Sequence, residues 1–573
     1  MNLLRSLAAC VPAALLSLAS AGAAPAAQPP SGDALRQIIE EGDPGLSGGR
    51  LATPTDRERL DRLYQGNGYR MLWSSGGKLT PAASALLDQL RLAADRALTP
   101  EDYDTAPLSA AAQALGSPAA GPGQWALFDA RLSIAGLRFA SDLHFGRVDP
   151  ASVGHNLTVE RGSLDIPAAL ARLAASQNVP AELDALEPPF THYALLKKEL
   201  AHYRALAAED GLNSLPRPAG KSLKPGEAYT GAAQLQRLLI ALGDLTAATA
   251  GEPAPHTLTP ALAEGLQRFQ ARHGEKADGA LGAATFAELT RPLSARVRQI
   301  ELTMERWRWL PAVSSAPIIV NIPQFRLYAF ETTADSEAHI RQMDVIVGKS
   351  FDKTQTPVFA ADMSYVVFRP YWEVPYSIAV KEIVPAARKN PNYIETHQME
   401  IVRGAGDSAP IMPSTPENIE LVARGTLRVR QKPGPDNSLG LVKFMLPNPY
   451  NVYLHSTPAQ ALFSQSRRDF SHGCVRVVDP VGLAEYVLRD RPEWTRDKIL
   501  AAMNGGKPQT VTLKKKIRVL IVYGTAIARE QGDILFFDDI YGHDRRLEKA
   551  LEAHRPAGTT DGARPPLASP SRS

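Results

Sequence analysis

The apolar residues of this 573-residue chain change their period near residue 316. Before that point they recur at helical spacing, as in Leu60, Leu63 and Tyr64, then Leu86, Leu87, Leu90, Leu92 and Ala93. After it come short strand-like runs: Ile318 to Ile322, Phe325 to Phe330, Met343 to Val347, Tyr365 to Phe368, Leu441 to Met445 and Thr510 to Tyr523. Ile534 to Tyr541 supplies another. Helical patterns first and strand patterns later predict an α+β multidomain protein, with a mainly antiparallel β-rich domain behind a helical scaffold.

Residues 1–24 read as a secretory signal peptide: Arg5, an apolar run from Leu7 to Leu18, then the small-residue sites Ala19-Ser20-Ala21 and Ala21-Gly22-Ala23. This predicts export to the periplasm. Residues 25–50 are an Ala/Pro/Gly-rich flexible leader, 51–215 the helical scaffold, and 228–292 a small three-helix bundle behind a Pro/Gly-containing linker. Trp307 and Trp309 mark the join to the β-rich domain, 316–545, and are expected to pack between domains. Within that domain, 378–428 is expected to be a helical insertion. The tail, 555–573, is expected to be disordered. No later apolar run approaches the roughly 20 residues of a membrane span. The 63 basic and 60 acidic residues nearly cancel, which excludes the charge signature of a nucleic-acid binder.

Of the two cysteines, Cys10 lies in the signal segment, so the exported chain keeps one thiol, Cys474, and no internal disulfide. That thiol sits in Tyr453–Val477, YLHSTPAQALFSQSRRDFSHGCVRV. Turn formers Pro447, Asn448 and Pro449 lead into a short run that carries His455 to a strand end, and a loop returns the chain to Ser471-His472-Gly473-Cys474. A thiol is mostly protonated at neutral pH, so a nucleophilic cysteine needs a base within hydrogen-bond reach. His455 and His472 are both candidates. In an extended segment His472 would lie about 7 Å from Cys474 on the same face, far for proton transfer, which favours His455. Backbone N–H groups of His472, Gly473 and Cys474 are candidates for an oxyanion hole, and Arg476 for holding a carboxylate. Two other readings stay open on spacing alone: a small core cysteine, and a zinc site built from the two histidines and the thiol.

The histidine, and nineteen residues later the cysteine of a Ser-His-Gly-Cys-x-Arg box, resemble the signature of L,D-transpeptidases. The resemblance implies that Cys474 is acylated, that His455 is the proton acceptor and donor, that a backbone carbonyl near Ser456 orients it, and that His472, Gly473, Tyr453 and Arg476 support the box and bind substrate. Ser456-Thr457-Pro458 after the histidine resembles the large periplasmic subclass, as do Leu63-Tyr64 through Trp73, Leu98 to Tyr103 and Asp142 to Pro150 in the scaffold. Gln267-Arg268-Phe269-Gln270, His273-Gly274 and Asp278-Gly279-Ala280-Leu281-Gly282 resemble a peptidoglycan-binding domain. The expected reaction is attack on the bond between diaminopimelate and the terminal D-alanine of a stem tetrapeptide, then transfer to a second stem as a 3→3 cross-link, without metal or organic cofactor. Carbapenems are expected to acylate the same thiol. The rival readings are a carboxypeptidase or endopeptidase that hydrolyses the same thioester, and a non-catalytic wall-binding protein.

Overall fold

A computed structural model describes residues 31–554, apart from 43–45, 47–52, 119, 158–163, 252–254, 312–314, 333–338 and 352–353. The expected signal peptide and tail, and half of the expected leader, lie outside the described residues; the rest of the leader is not a flexible segment, because helical turns at Ser31–Gln37 and Ile38–Gly42 bury Leu35 and Ile38 in the scaffold core.

The N-terminal half is helical. Its central helix, Pro122–Phe145, is 24 residues long and buried along most of its length. Polar groups inside this helix would be costly without partners, and they have them. Asp129 accepts from the Tyr64 hydroxyl at 2.5 Å and from the backbone N–H of Trp73 at 2.8 Å, while the Trp73 indole donates to Ser133 at 2.7 Å. Burial lifts the Asp129 carboxyl to about 6, and these bonds oppose the shift. Tyr64 and Trp73 are therefore internal fasteners of the scaffold.

The three helices Ala232–Ala241, Pro260–Arg272 and Ala283–Leu289 follow. Gln270 explains the spacing of the landmarks around them. Its amide accepts from Gly279 N–H at 2.8 Å and donates to the Ala280 carbonyl at 2.9 Å, pinning the turn that begins at Asp278. Arg272 forms a buried pair with Asp244 at 2.6 Å and also donates to the Ile534 carbonyl, so this unit is bonded to the C-terminal half of the molecule.

The β-rich domain closes into a barrel of eight strands: β1 (Ile318–Asn321), β2 (Arg326–Ala329), β3 (Arg341–Gly348), β4 (Val358–Phe368), β5 (Val442–Met445), β6 (Leu454–His455), β7 (Val475–Val477) and β8 (Gln509–Val522). Around the barrel the order is β5-β6-β7-β3-β2-β1-β8-β4 and back to β5. Only β6–β7 and β1–β8 are parallel. Closure removes the free edges that short strands would otherwise expose. Val320, Leu327, Val345, Phe444, Leu454 and Val475 fill the interior and are fully buried.

The scaffold is joined to this barrel and the helix before it in four ways. Its strand His155–Asn156 pairs in parallel with the start of β4. Glu305, on the helix Leu293–Trp307, is buried between Arg308 at 2.8 Å and Arg147 at 3.4 Å. Trp309 is fully buried beside Gly146, where a Cβ would come within 2.6 Å of the indole nitrogen. Trp307, also buried, donates to His192 at 2.6 Å.

Between β4 and β5 lies the insertion, and here the structure corrects the expected all-helical segment. Helical turns occupy Tyr376–Lys389, Tyr393–Thr396 and Pro416–Ala423. A four-stranded antiparallel sheet shares the unit, in the order Trp372–Glu373, Arg428–Gln431, Met399–Val402, Ile411–Met412. Ile401 and Val429 bury one face of this sheet against Ile383, Val384, Ile419 and Val422 of the helices. Its strands are only two to four residues long, too short for a period-2 pattern to stand out in the sequence.

Candidate active site

The site lies on the outer face of β5, β6 and β7. In β6 and β7 the register pairs Leu454 with Val475 and His455 with Arg476. Side chains alternate along a strand, so the buried Leu454, Val475 and Val477 point inward while His455 and Arg476 share the outer face with Tyr453 and Cys474. Val475 N–H donates to the Tyr453 carbonyl at 3.1 Å, which sets Cys474 beside Tyr453 and diagonally across from His455. Diagonal neighbours in a sheet are about 7–8 Å apart at the backbone, a separation that an imidazole and a thiol can span.

The turn before β6 has a local cause. Asn448 accepts from the N–H groups of Tyr450 and Val452 and donates to the Val452 carbonyl at 2.7 Å, folding Pro447–Asn451 back on itself. Asn451 takes a positive φ of 56°, which asparagine tolerates better than most residues. Its carbonyl lies 3.6 Å from the Cys474 sulfur and accepts from the thiol.

His455 is buried, and its Nδ1 lies 2.5 Å from the Ser456 carbonyl. A carbonyl can only accept, so Nδ1 carries the proton and Nε2 holds the free lone pair. Burial, with Arg476 adding to it, holds the imidazole down at about 3, while the Ser456 and Leu439 carbonyls oppose the shift. Ser456 is fixed in turn by Gly440, whose φ of 61° and close approach exclude a side chain: a Cβ there would fall 2.6 Å from the Ser456 hydroxyl. Burial likewise pushes the Cys474 thiol up. Hydrogen bonds from Tyr453 and the charges of Arg476 and Lys443 pull the other way. At neutral pH the outer face therefore carries a thiol diagonally across from a neutral imidazole, the protonation states that general-base activation of a thiol starts from.

The box itself is not extended. Gly473 has φ 117°, a conformation closed to residues with a Cβ, and its carbonyl accepts from Thr356 Oγ1 at 2.8 Å. Thr356 also accepts from Gly348 N–H at 2.8 Å, tying the box to the end of β3. This turn corrects two expectations. Gly473 N–H, expected as an oxyanion donor, is bonded to the Ser471 hydroxyl at 3.2 Å. The N–H groups of His472 and Cys474 make no hydrogen bond among the described residues, so those two remain as donors. Likewise, His472 does not share a face with Cys474. It is turned outward to Glu382 of the insertion, with Nε2 2.8 Å from the carboxylate.

Arg476, beside Cys474, keeps a buried Nε without a partner among the described residues. Sequence reasoning passed over Thr356, Asn451, Glu382 and Lys443. Lys443 alone left a signal, as the single charge in the apolar run Leu441–Leu446. Among the described residues no cluster of three or more His, Cys, Asp or Glu side chains has metal-binding geometry, and no helix is long and apolar enough to cross a membrane.

Residues 316–515 match the model of the L,D-transpeptidase catalytic domain, and residues 58–200 match that of the Scaffold domain. A Haemophilus influenzae protein named "Putative L,D-transpeptidase" is 31% identical over 253 residues, 44% of this chain and 49% of that protein. The chain thus spans about half the length of the curated relative it matches. The closed barrel with its histidine, cysteine and arginine on one outer face accordingly lies in a segment that matches the L,D-transpeptidase catalytic domain, with a Scaffold domain ahead of it.

Proposed function

We propose that the protein is a periplasmic peptidoglycan L,D-transpeptidase that takes stem tetrapeptides as donors and forms 3→3 cross-links. The observation that carries the reading is the placement of a half-buried free thiol on β7, diagonally across from a β6 imidazole whose Nδ1 is locked on the Ser456 carbonyl. Cys474 attacks the carbonyl carbon of the diaminopimelate L-centre, and its proton passes to His455 Nε2. The N–H groups of His472 and Cys474 receive the developing oxyanion, each worth about 3 kcal/mol when well placed. As the C–N bond breaks, His455 returns the proton to the leaving amine of D-alanine, and a thioester remains on Cys474. The amine of a second stem then attacks the thioester and gives its proton back through His455 to the thiolate. The first and second steps thus use one base and one sulfur.

In this reading the insertion is a lid that lies over the box, consistent with the contact between Glu382 and His472, and excludes water in favour of the acceptor amine. Residues 228–292 hold the enzyme on the sacculus. The test is mass spectrometry of the products formed when the purified protein is incubated with stem peptides or sacculi. Cross-linked dimers with release of D-alanine are expected. Tripeptides alone would identify a carboxypeptidase, and no turnover together with no carbapenem adduct on Cys474 would overturn catalysis.

A further inference from the structure

Lys443 stands directly across from His455 in the β5–β6 register, on the outer face. Its neighbours Val442 and Phe444 are fully buried in the barrel. The ammonium lies 5.9 Å from the centre of the Tyr453 ring and makes no ion pair within 4.0 Å among the described residues. The side chain is half-buried, and burial lowers its pKa. Asp407 and Glu373 of the insertion, and Cys474 itself, are the groups whose charge works against that shift. A half-buried cation without a fixed counter-ion is costly to hold, and such groups concentrate at functional sites.

Its place along the face says which anion it meets. From β7 to β5 the groups are the Cys474 sulfur, diagonal to His455 and one outward position before the Arg476 that His455 pairs with, then the His455 imidazole and, directly across from it, the Lys443 ammonium, on consecutive strands about 4.8 Å apart. In the acylation step proposed above, the scissile carbonyl is at the sulfur and the leaving nitrogen at the imidazole. The carboxyl carbon of the leaving residue is two bonds beyond that nitrogen, towards β5. We propose that Lys443 reads the free α-carboxylate of the leaving amino acid, so that the site selects donors whose scissile bond is their last peptide bond. A donor longer by one residue presents a neutral amide there, and the ammonium stays unpaired. This inference rests on the transpeptidase reading and adds to it the residue that measures donor length.

The experiment compares the purified protein and two variants on three donors: a stem tetrapeptide, the same peptide as its C-terminal amide, and a pentapeptide extended by D-alanine. The release of D-alanine, D-alaninamide or D-alanyl-D-alanine is followed by mass spectrometry. The wild type is expected to prefer the free acid by about ten- to a hundredfold over both other donors, the range for a hydrogen bond to a charged group. Lys443→Met should bring the three rates within about threefold of one another, and Lys443→Arg should restore most of the preference. Equal rates on acid and amide in the wild type would overturn the assignment. So would a Lys443→Met protein that slows on all three donors alike and keeps the preference, because that pattern belongs to a structural lysine. If the wild type releases nothing from any donor, the transpeptidase reading itself falls, and this inference with it.

Discussion

His455 can be protonated only against the environment the barrel has built around it. Its folded pKa is about 3 against an ordinary value of 6.5, chiefly because the ring is buried and secondarily because Arg476 lies beside it. Between these values the unfolded chain binds a proton that the native barrel refuses. The contribution to stability is therefore complete above about pH 6.5 and is lost as the pH falls towards 3. At about 1.4 kcal/mol per pKa unit, the full window is worth about 5 kcal/mol, of which about 2 kcal/mol disappears between pH 7 and pH 5. His455→Gln keeps a donor for the Ser456 carbonyl and removes the titration. Its barrel should lose about 2 kcal/mol less than the wild type over that step. Amide hydrogen exchange at Leu454 and Val475, corrected for intrinsic rates, reads the difference, and the other buried histidines cancel because both proteins carry them. The same shift keeps the base neutral during catalysis, so wild-type kcat/KM for acylation should stay flat from pH 7 to pH 5. Equal stability losses in the two proteins, or an acid limb near pH 6 in the rate profile, would refute the reasoning.

His455→Ala should slow acylation of Cys474 by about 10²- to 10⁴-fold, whereas His472→Ala, which removes only an outward contact to Glu382, should cost far less; carbapenem acylation rates decide, and the reverse order would exchange the two roles. Cys474→Ser should abolish the adduct while leaving the circular dichroism and melting curve unchanged. Thr356→Val strands the Gly348 N–H and releases the Gly473 carbonyl, so it should destabilise the barrel by about 1–3 kcal/mol in urea titration and slow acylation as the box loosens. Arg272→Ala leaves Asp244 buried and unpaired, a loss of about 3–5 kcal/mol that should appear as early unfolding of residues 232–289 in hydrogen exchange.

The helical first half and the strand-rich second half were legible in the sequence alone, as were the histidine and the cysteine that the fold sets on neighbouring strands of one face. Periodicity is a local property that a helix such as Pro122–Phe145 or a strand such as Gln509–Val522 writes into its own residues. The box of Ser471 to Cys474 is likewise local, a contiguous run whose residue types name their chemistry. Local pattern failed where elements were short or partners distant. The strands of the insertion are too brief to show alternation, and Lys443, Thr356 and Glu382 join the site only because barrel closure and the insertion bring segments some 30 to 120 residues away against the box. The backbone of the box was also a tertiary outcome. Gly473 turns because Thr356 and Ser471 hold its carbonyl and its N–H. That bend turns its N–H to the Ser471 hydroxyl and points His472 away from the thiol, towards Glu382. Residue types settled which atoms could react; the register of β5, β6 and β7, with the hydrogen bonds behind them, decided which of those atoms face one another.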